Sequence, residues 1–201
     1  MECLVREDAV DKRIKVDLAL VHYPVVNKNS EIIGSAVTNL DVHDLARACR
    51  TFGINNLYLV TPFRDQQRMI GEILDHWLTG YGSEYNSNRK DALSIVKICD
   101  DLEQLFAEVT EKWHERPIIL ATSARQCPKT WAYEKVREKI FAGDRFLILF
   151  GTAWGLSPVV IESLDGTLPP LSGFSDYNHL AVRSAAAIIL DRLLGDWQRK
   201  I

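Results

Sequence analysis

The chain has 201 residues, of which 47% are hydrophobic and 25% are charged. This composition is that of one globular domain with a sizeable core, and it excludes a disordered or fibrous chain. The formal net charge of −3 argues against a protein that coats nucleic acid electrostatically, so a nucleic-acid partner would have to meet a local basic patch. Candidate patches are residues 6–15, the pair Arg64 and Arg68, and the pair Arg89 and Lys90, although each also suits an ordinary solvated face.

We treat 1–201 as a single domain in which 1–15 form a charged N-terminal arm. This arm lacks the apolar centre of a signal peptide, and no apolar run approaches the roughly 20 residues of a membrane-spanning helix. We therefore expect a cytoplasmic protein with no membrane partner. The four cysteines are far apart and form no C-x-x-C pair, which favours free thiols in a reducing compartment over a structural zinc site.

Short β-rich runs alternate along the chain with stretches whose apolar residues recur at helical spacing. In chain order the pattern predicts a strand at 15–23, an extended piece at 32–37, a helix at 41–53, a strand at 56–62, a helix at 64–79, a polar loop at 81–91, a strand at 94–100, a helix at 102–114, a strand at 116–124, a helix at 129–143, a strand at 145–151 and a last helix from 177 to about 197.

This alternation predicts an α/β fold, with a parallel sheet covered by helices on both faces. Ligands of such sheets lie beyond the carboxyl ends of the strands. The candidate strand ends are LVTP at 59–62, LATSA at 120–124 and LFGTAWG at 149–155. Residues 151–176 predict at most one short helix, at about 158–164, and a long irregular segment in a compact domain is usually functional. We therefore expect the ligand site at this segment.

The loop after the most hydrophobic predicted strand carries Gly151 and Gly155 in a G-x-x-x-G spacing. This is neither the phosphate-binding G-x-x-x-x-G-K-[ST] nor the dinucleotide fingerprint G-x-G-x-x-G, and no lysine follows to neutralise a phosphate. The chain has no G-x-S-x-G elbow, and its five histidines lack metal-ligand spacing, so we predict no metal site. A loop with few charges can instead line an apolar pocket with amides and carbonyls, as an adenine ring requires.

Three segments together carry a recognisable pattern. They are HYPVVNKNSEIIGSAVTNLDVHDLARACRTFGINNLYLVTP at 22–62, LILFGTAWGLS at 147–157 and PPLSGFSDYNHLAVRSAAAIIL at 169–190. They resemble the SPOUT class of S-adenosylmethionine-dependent RNA methyltransferases, and more narrowly its small bacterial tRNA (guanine-N1)-methyltransferase-like branch. The residues that fit the class motifs are Arg47, Gly53, Gly151, Gly155, Leu171 and Gly173. The residues that depart from them are Asp41, Thr152 and Ala181, each at an asparagine position, and Ala153 at a glutamate position.

The resemblance implies a C-terminal trefoil knot, an obligate homodimer and S-adenosylmethionine bound in a bent form by three loops, which map to 121–123, 150–155 and 168–180. The implied cofactor-binding residues are Thr122, Phe150, Gly151, Gly155, Leu168, Pro169, Leu171, Gly173, His179 and Leu180. The implied catalytic residues are Arg47, Asp41 and Asp176, with Arg47 contacting the acceptor or a phosphate across the dimer interface.

Some of these roles have structural alternatives. Arg47 lies one helical turn beyond Asp44, so the two can also form a surface ion pair. Asp176 precedes the predicted last helix and is either a general base or an N-cap. Trp154 either shields the pocket or packs in the core, and His22 is expected to border the cleft.

The function predicted on this basis is S-adenosylmethionine-dependent methylation of tRNA or rRNA, with a base or ribose acceptor left open. The alternative is a cofactor-binding RNA-binding or regulatory protein without transfer activity, because motif asparagines are missing and the net charge is −3. A third hypothesis is a small-molecule or protein methyltransferase on the same scaffold.

Overall fold

The structure is a computed structural model in which residues 14–196 are described. The strands are β1 (Val16–Val21), β2 (Val25–Val26), β3 (Ile32–Ile33), β4 (Leu57–Val60), β5 (Val96–Cys99), β6 (Ile118–Ala121), β7 (Phe146–Gly151) and β8 (Gly166–Thr167). The helices are α1 (Asn39–Thr51), α2 (Arg64–Leu78), α3 (Gly82–Tyr85), α4 (Ser87–Leu93), α5 (Leu102–Trp113), α6 (Tyr133–Ala142), α7 (Pro158–Ser163) and α8 (Val182–Leu194). Six strands form one parallel sheet in the order β5-β4-β1-β7-β6-β8, and β2 pairs with β3 in a separate antiparallel ribbon.

The sheet separates two hydrophobic clusters, because successive residues of a strand point to opposite faces. On β1, Leu18 and Leu20 join the cluster that contains α1, α2, α6 and α8, whereas Ala19 and Val21 join the cluster with α5 and α7. The central strands are thus buried on both faces, which explains why they read as continuous apolar runs. The predicted α/β architecture with helices on both faces is confirmed.

Helix α1 begins at a capping box. The Oγ1 of Thr38 accepts a hydrogen bond from the Asp41 N–H at 3.2 Å, and the Asp41 carboxylate accepts from the Thr38 N–H at 3.3 Å. The carboxylate also lies in the first helical turn, where the helix dipole stabilises a negative charge. Asp41 is therefore held in one position, with only 6% of its surface exposed.

The prediction of a loop at 81–91 was wrong, because α3 and α4 occupy this stretch. The Asn86 side chain accepts a hydrogen bond from the Arg89 N–H at 3.0 Å and caps α4. Ala92 and Leu93 at the end of α4 are buried. Burial of these two residues, just beyond the polar stretch, anchors α4 and supports its helical conformation.

The segment before the last helix also differs from the prediction. Helix α8 begins at Val182 and not at Tyr177, and its N-cap is Ala181. Asp176 is therefore not the N-cap of this helix. Helix α7 lies at the predicted position, but the two-residue strand β8, which pairs with β6, was not predicted.

Most of the predicted N-terminal arm lies outside the described residues, as do Cys3 and Trp197. Within 14–196, none of the helices combines the length and the apolar character that crossing a membrane requires. Cys49, Cys99 and Cys127 are free thiols, of which the first two are buried.

Candidate functional site

A cavity of about 1090 Å³ opens at the carboxyl ends of β6 and β7. Its walls come mainly from the segments that follow β6, β7 and β8, at 122–128, 150–156 and 171–189. This is where a parallel sheet is expected to bind its ligand. Of the predicted strand ends, LATSA and LFGTAWG line the cavity, whereas LVTP at 59–62 does not.

The glycine loop at 151–156 turns back onto the end of β7. A Cβ atom on Gly151 would lie 2.5 Å from the backbone nitrogen of Leu156, so the close approach requires glycine. Gly155 has φ +104°, a conformation that L side chains rarely adopt. The N–H of Val26 donates to the Gly155 carbonyl at 2.9 Å, and the N–H of Trp154 donates to the Val26 carbonyl at 3.0 Å. Two backbone hydrogen bonds thereby hold the loop to Val26 of β2.

A partly buried hydrogen-bond relay joins three separate parts of the chain beside this loop. Nδ1 of His22 lies 3.0 Å from the Ser35 hydroxyl, which lies 2.5 Å from the Thr152 hydroxyl. The Thr152 hydroxyl donates to the Val21 carbonyl at 3.0 Å. Because that carbonyl can only accept, Ser35 donates to Thr152 and accepts the Nδ1 proton of His22. The relay therefore fixes the start of the glycine loop against β1.

His22 lies behind the cavity wall rather than in it, with none of its surface exposed. Burial lowers the pKa of His22 to about 4, although the negative charge of Asp41 acts in the opposite direction and raises this pKa. The imidazole is therefore neutral at physiological pH. Its Nε2 atom has no hydrogen-bond partner among residues 14–196.

A second polar cluster joins α1 to α8 at the cavity. Arg183 donates from Nη1 to the Asp41 carboxylate at 3.1 Å and from Nε to the Asp44 carboxylate at 3.2 Å. Arg183 and Asp41 both line the cavity. A cation in the first turn of a helix is opposed by the helix dipole, and the two carboxylates of α1 offset that cost.

The irregular segment before α8 forms the mouth of the cavity. The Nδ2 of Asn178 donates to the Ala124 carbonyl at 2.9 Å, which ties this segment to the loop after β6. The ring of His179 lies edge-on to Trp154 at 6.0 Å and to Tyr177 at 5.5 Å between centroids. Trp154 keeps 52% of its surface exposed and lines the cavity, so it borders the mouth and is not a core residue.

Residues 15–195 match a family model described as "SAM-dependent RNA methyltransferase", where SAM is S-adenosylmethionine. The chain belongs to this family. The match runs through all three segments that surround the cavity.

Two relatives show how far the similarity extends. A tRNA (guanine-N(1)-)-methyltransferase of Oleidesulfovibrio alaskensis is 44% identical over 178 residues, covering 89% of this chain and 41% of that protein. The chain thus spans about two fifths of the length of that relative. An uncharacterised protein of Aquifex aeolicus is 37% identical over 179 residues, covering 89% of this chain and 87% of that protein.

Among solved structures, the SpoU methyltransferase AviRb of Streptomyces viridochromogenes, in complex with the cofactor AdoMet, has a similar fold. Its TM-score is 0.54 at 16% identity, covering 94% of this chain and 62% of that chain. At this identity the likeness concerns the fold alone, and it agrees with the parallel sheet described above.

In this family member, the structure gathers most of the predicted site residues at one cavity. Those lining it are Asp41, Thr122, Phe150, Gly151, Gly155, Leu171, Asp176, His179 and Leu180. Three other predicted residues lie elsewhere. Leu168 is buried and donates its N–H to the Ala121 carbonyl, the Pro169 carbonyl accepts from the Tyr133 hydroxyl, and Gly173 is exposed.

Arg47 also lies outside the cavity wall and is exposed on α1. The alternative that it forms a surface ion pair with Asp44 is not what the structure has, because Asp44 pairs with Arg183. Asp176 is exposed at the cavity.

Sequence reasoning missed Arg183, and with it Arg125 and Glu162 on the cavity wall. The last helix was predicted to begin at Tyr177 and not at Val182, so the sequence did not place Arg183 in the first turn of a helix, where an arginine is unfavourable unless carboxylates lie beside it. What the sequence could not give is the contact itself, since Arg183 and Asp41 are 142 positions apart.

Proposed function

We propose that this protein binds S-adenosylmethionine in the cavity beyond β6 and β7 and transfers its methyl group to a nucleotide of RNA. The observation that carries the proposal is the convergence of the three loop segments on one cavity, in a chain that belongs to the SAM-dependent RNA methyltransferase family.

The residues on the cavity wall suit this ligand. Leu171 and Leu180 provide apolar surface for an adenine ring, next to backbone amides and carbonyls of the loops. S-adenosylmethionine also carries an ammonium and a sulfonium cation, for which Glu162 supplies negative charge. The cavity of about 1090 Å³ lies at the upper end of the volumes found for ligand pockets, about 300–1,000 Å³, so it is large enough for this cofactor.

The bound sulfonium supplies the methyl group, and the chain's own residues position the acceptor and manage its charge. We propose that Arg183 faces the acceptor, because two carboxylates orient its guanidinium at the cavity wall. The guanidinium N–H groups that the two carboxylates leave free can donate hydrogen bonds to the acceptor atom on which negative charge develops when its proton leaves. Asp176 is the candidate general base, since it is an exposed carboxylate at the same cavity.

We also propose that the C-terminal segment is knotted. Strand β8 lies between the end of β6 and the segment around Lys129, which both belong to the stretch of chain that leads from β6 to α6. On one side the Leu168 N–H donates to the Ala121 carbonyl at 2.8 Å, and on the other the Thr167 N–H donates to the Lys129 carbonyl at 2.9 Å. The chain leaves β8 from between these segments and returns to pack α8 on α1 and β7. This course supports the trefoil knot that the resemblance implies.

The homodimer is likewise a proposal. Leu40 on α1 exposes 58% of its surface and Ile188 on α8 exposes 38%, and such aliphatic exposure is consistent with an interface along these two helices. Arg47, exposed on α1, would then be free to contact the acceptor of the other subunit.

We propose tRNA as the first substrate to test and rRNA as the second. The relative named tRNA (guanine-N(1)-)-methyltransferase supports tRNA as the substrate. The match covers 41% of that relative, so the activity of the whole relative is not assigned to this chain. Methylation of these RNAs also supports a cytoplasmic location.

Two measurements test the function. Isothermal titration of S-adenosylmethionine into the purified protein is expected to show stoichiometric binding, and absence of binding would reject the proposal.

Nucleoside mass spectrometry of tRNA and rRNA from a deletion strain is expected to show the loss of one methylated nucleoside, restored by the wild-type gene. Binding without any lost nucleoside would instead favour the RNA-binding or regulatory protein without transfer activity, an alternative kept because Thr152 and Ala153 replace the usual motif residues.

Arg183→Gln is expected to lower methyl transfer on the order of 100-fold, as removal of one charge-stabilising donor typically does, while S-adenosylmethionine affinity changes little. The measurement is single-turnover transfer of labelled methyl into the RNA identified above, with calorimetry for the cofactor. Arg192→Gln on the same helix is the control, because Arg192 packs over the Tyr133 ring and does not line the cavity. Wild-type transfer by the Arg183 variant would show that this residue only holds α8 against α1.

A further inference from the structure

Helices α2, α3 and α4 present an aromatic and basic surface that the cavity does not use. We define the tyrosine platform as Trp77, Tyr81, Tyr85, Arg89 and Lys90. We propose that the tyrosine platform binds an unpaired stretch of the RNA substrate by stacking its bases on the two tyrosine rings. This inference rests on the proposed function for the identity of its ligand, and it adds a second contact to that function.

The two tyrosine rings of the platform are large and lie mostly in solvent. Tyr81 exposes 75% of its surface and Tyr85 exposes 77%. The rings stack on each other with centroids 6.3 Å apart and 22° between their planes. Residues four apart on one helical turn face the same side, so both rings offer a free π-face in the same region. Aromatic faces of this kind bind nucleobases whatever their sequence.

The base of the platform is Trp77, a partly buried residue that packs against the hydrophobic core. Helix α3 packs directly on Trp77, where a Cβ on Gly82 would lie 2.7 Å from the Cε3 atom of the indole. The guanidinium of Arg89 lies 4.5 Å from the Trp77 ring centroid, and His43 of α1 lies edge-on to the same ring at 5.7 Å.

Charge at the platform is suited to phosphate. Arg89 and Lys90 are adjacent, and within residues 14–196 no carboxylate lies at ion-pair distance from either. Asp91, the next residue, is already paired with Arg50 at 2.7 Å. Glu84, between the tyrosines, is the one acidic side chain of α3. In a chain of net charge −3, such a local basic patch is what an RNA contact requires.

The platform is also connected to the cavity. Helix α4 packs along α1, and α1 begins at the cavity with Asp41. His43, two residues after Asp41, contacts Trp77 of the platform, but it lies on the other side of α1 from Asp41, because residues two apart on a helix do not share a face. An RNA that contacts both the cavity and the platform would therefore pass around α1.

The test compares the full-length chain with the Tyr81→Ala/Tyr85→Ala variant, using fluorescence anisotropy with unfractionated tRNA and with single-stranded oligouridine. The variant is expected to bind both RNAs on the order of 10-fold more weakly or worse, as loss of base stacking does, with S-adenosylmethionine affinity unchanged. The Tyr81→Phe/Tyr85→Phe variant keeps the rings and is expected to bind like wild type. Arg89→Gln is expected to reduce the salt slope of RNA binding by about one unit.

Phe141→Ala is the matched control, because Phe141 exposes 48% of its surface and carries Arg137 over its ring, but lies on α6 away from the platform. Unchanged RNA affinity in the double-alanine variant would overturn the proposal. If that variant instead changes the oligomeric state in light scattering without changing RNA affinity, the platform is a contact between copies of the chain. If the wild-type protein does not bind S-adenosylmethionine but binds RNA, and the double-alanine variant loses that RNA binding, the proposed function is rejected and the platform is not.

Discussion

Gly151→Ala is expected to weaken S-adenosylmethionine binding and to lower methyl transfer by roughly 100-fold or more, the scale of rate loss that a displacement of about 1 Å produces at a site. The added methyl group would lie 2.5 Å from the Leu156 nitrogen and 2.9 Å from the Gly155 carbonyl carbon. Because both atoms are backbone, no side-chain rotation relieves the clash, and the loop must move away from β7. Titration calorimetry measures the affinity, and circular dichroism with thermal melting verifies the fold.

Gly173→Ala is the control that makes this result informative. The sequence predicted both glycines as cofactor-binding residues, but a Cβ on Gly173 meets nothing within 4 Å. This variant is expected to bind S-adenosylmethionine like wild type. Equal affinities for the Gly151 variant and wild type would show that the glycine loop is not a wall of the cofactor site, and a loss at Gly173 would show that the ligand itself approaches that residue.

Asp17→Ala is expected to destabilise the protein by about 3–5 kcal/mol, the usual cost of removing one partner of a buried ion pair. Asp17 on β1 is fully buried, and its carboxylate accepts hydrogen bonds from the Lys112 ammonium at 2.7 Å and from the Trp113 indole at 2.9 Å. The substitution leaves the half-buried ammonium of Lys112 without its partner. Urea denaturation followed by circular dichroism gives the free energy of unfolding.

The comparison for this variant is Asp65→Ala, which removes an exposed ion pair with Arg68 at 2.8 Å. Exposed pairs of this kind contribute about 1 kcal/mol or less, so this variant is expected to unfold almost as wild type does. Similar unfolding free energies for the two variants would mean that the Asp17 ion pair is solvated and contributes nothing special to the core.

The stretches that sequence reasoning predicted well are those with a local physical cause. Strand β7 and helix α5 were located to within a few residues, because a continuous apolar run and a helical apolar period are both visible in short windows. Strand β8 was missed for the opposite reason. It has two residues and no period of its own, and its hydrogen bonds go to β6 and to Lys129.

The candidate site divides in the same way. The sequence indicated the glycine loop and noted Thr152 as a departure from the class motif. The tertiary structure supplies a local role for that residue, since its hydroxyl joins Ser35 to the Val21 carbonyl. Neither partner can be inferred from the sequence around Thr152, because Ser35 is 117 positions away.

The sequence by itself determined the α/β class, the strand ends at which to look for a ligand, and the family resemblance that the match over residues 15–195 confirmed. These follow from patterns of neighbouring residues and from motifs that can be recognised in the linear sequence. Only the tertiary structure decided that 81–91 is helical, that Arg183 stands at the cavity between Asp41 and Asp44, and that Arg47 does not line it. Each of these depends on contacts between distant parts of the chain, and the burial and charge that fix them exist only once the sheet has assembled.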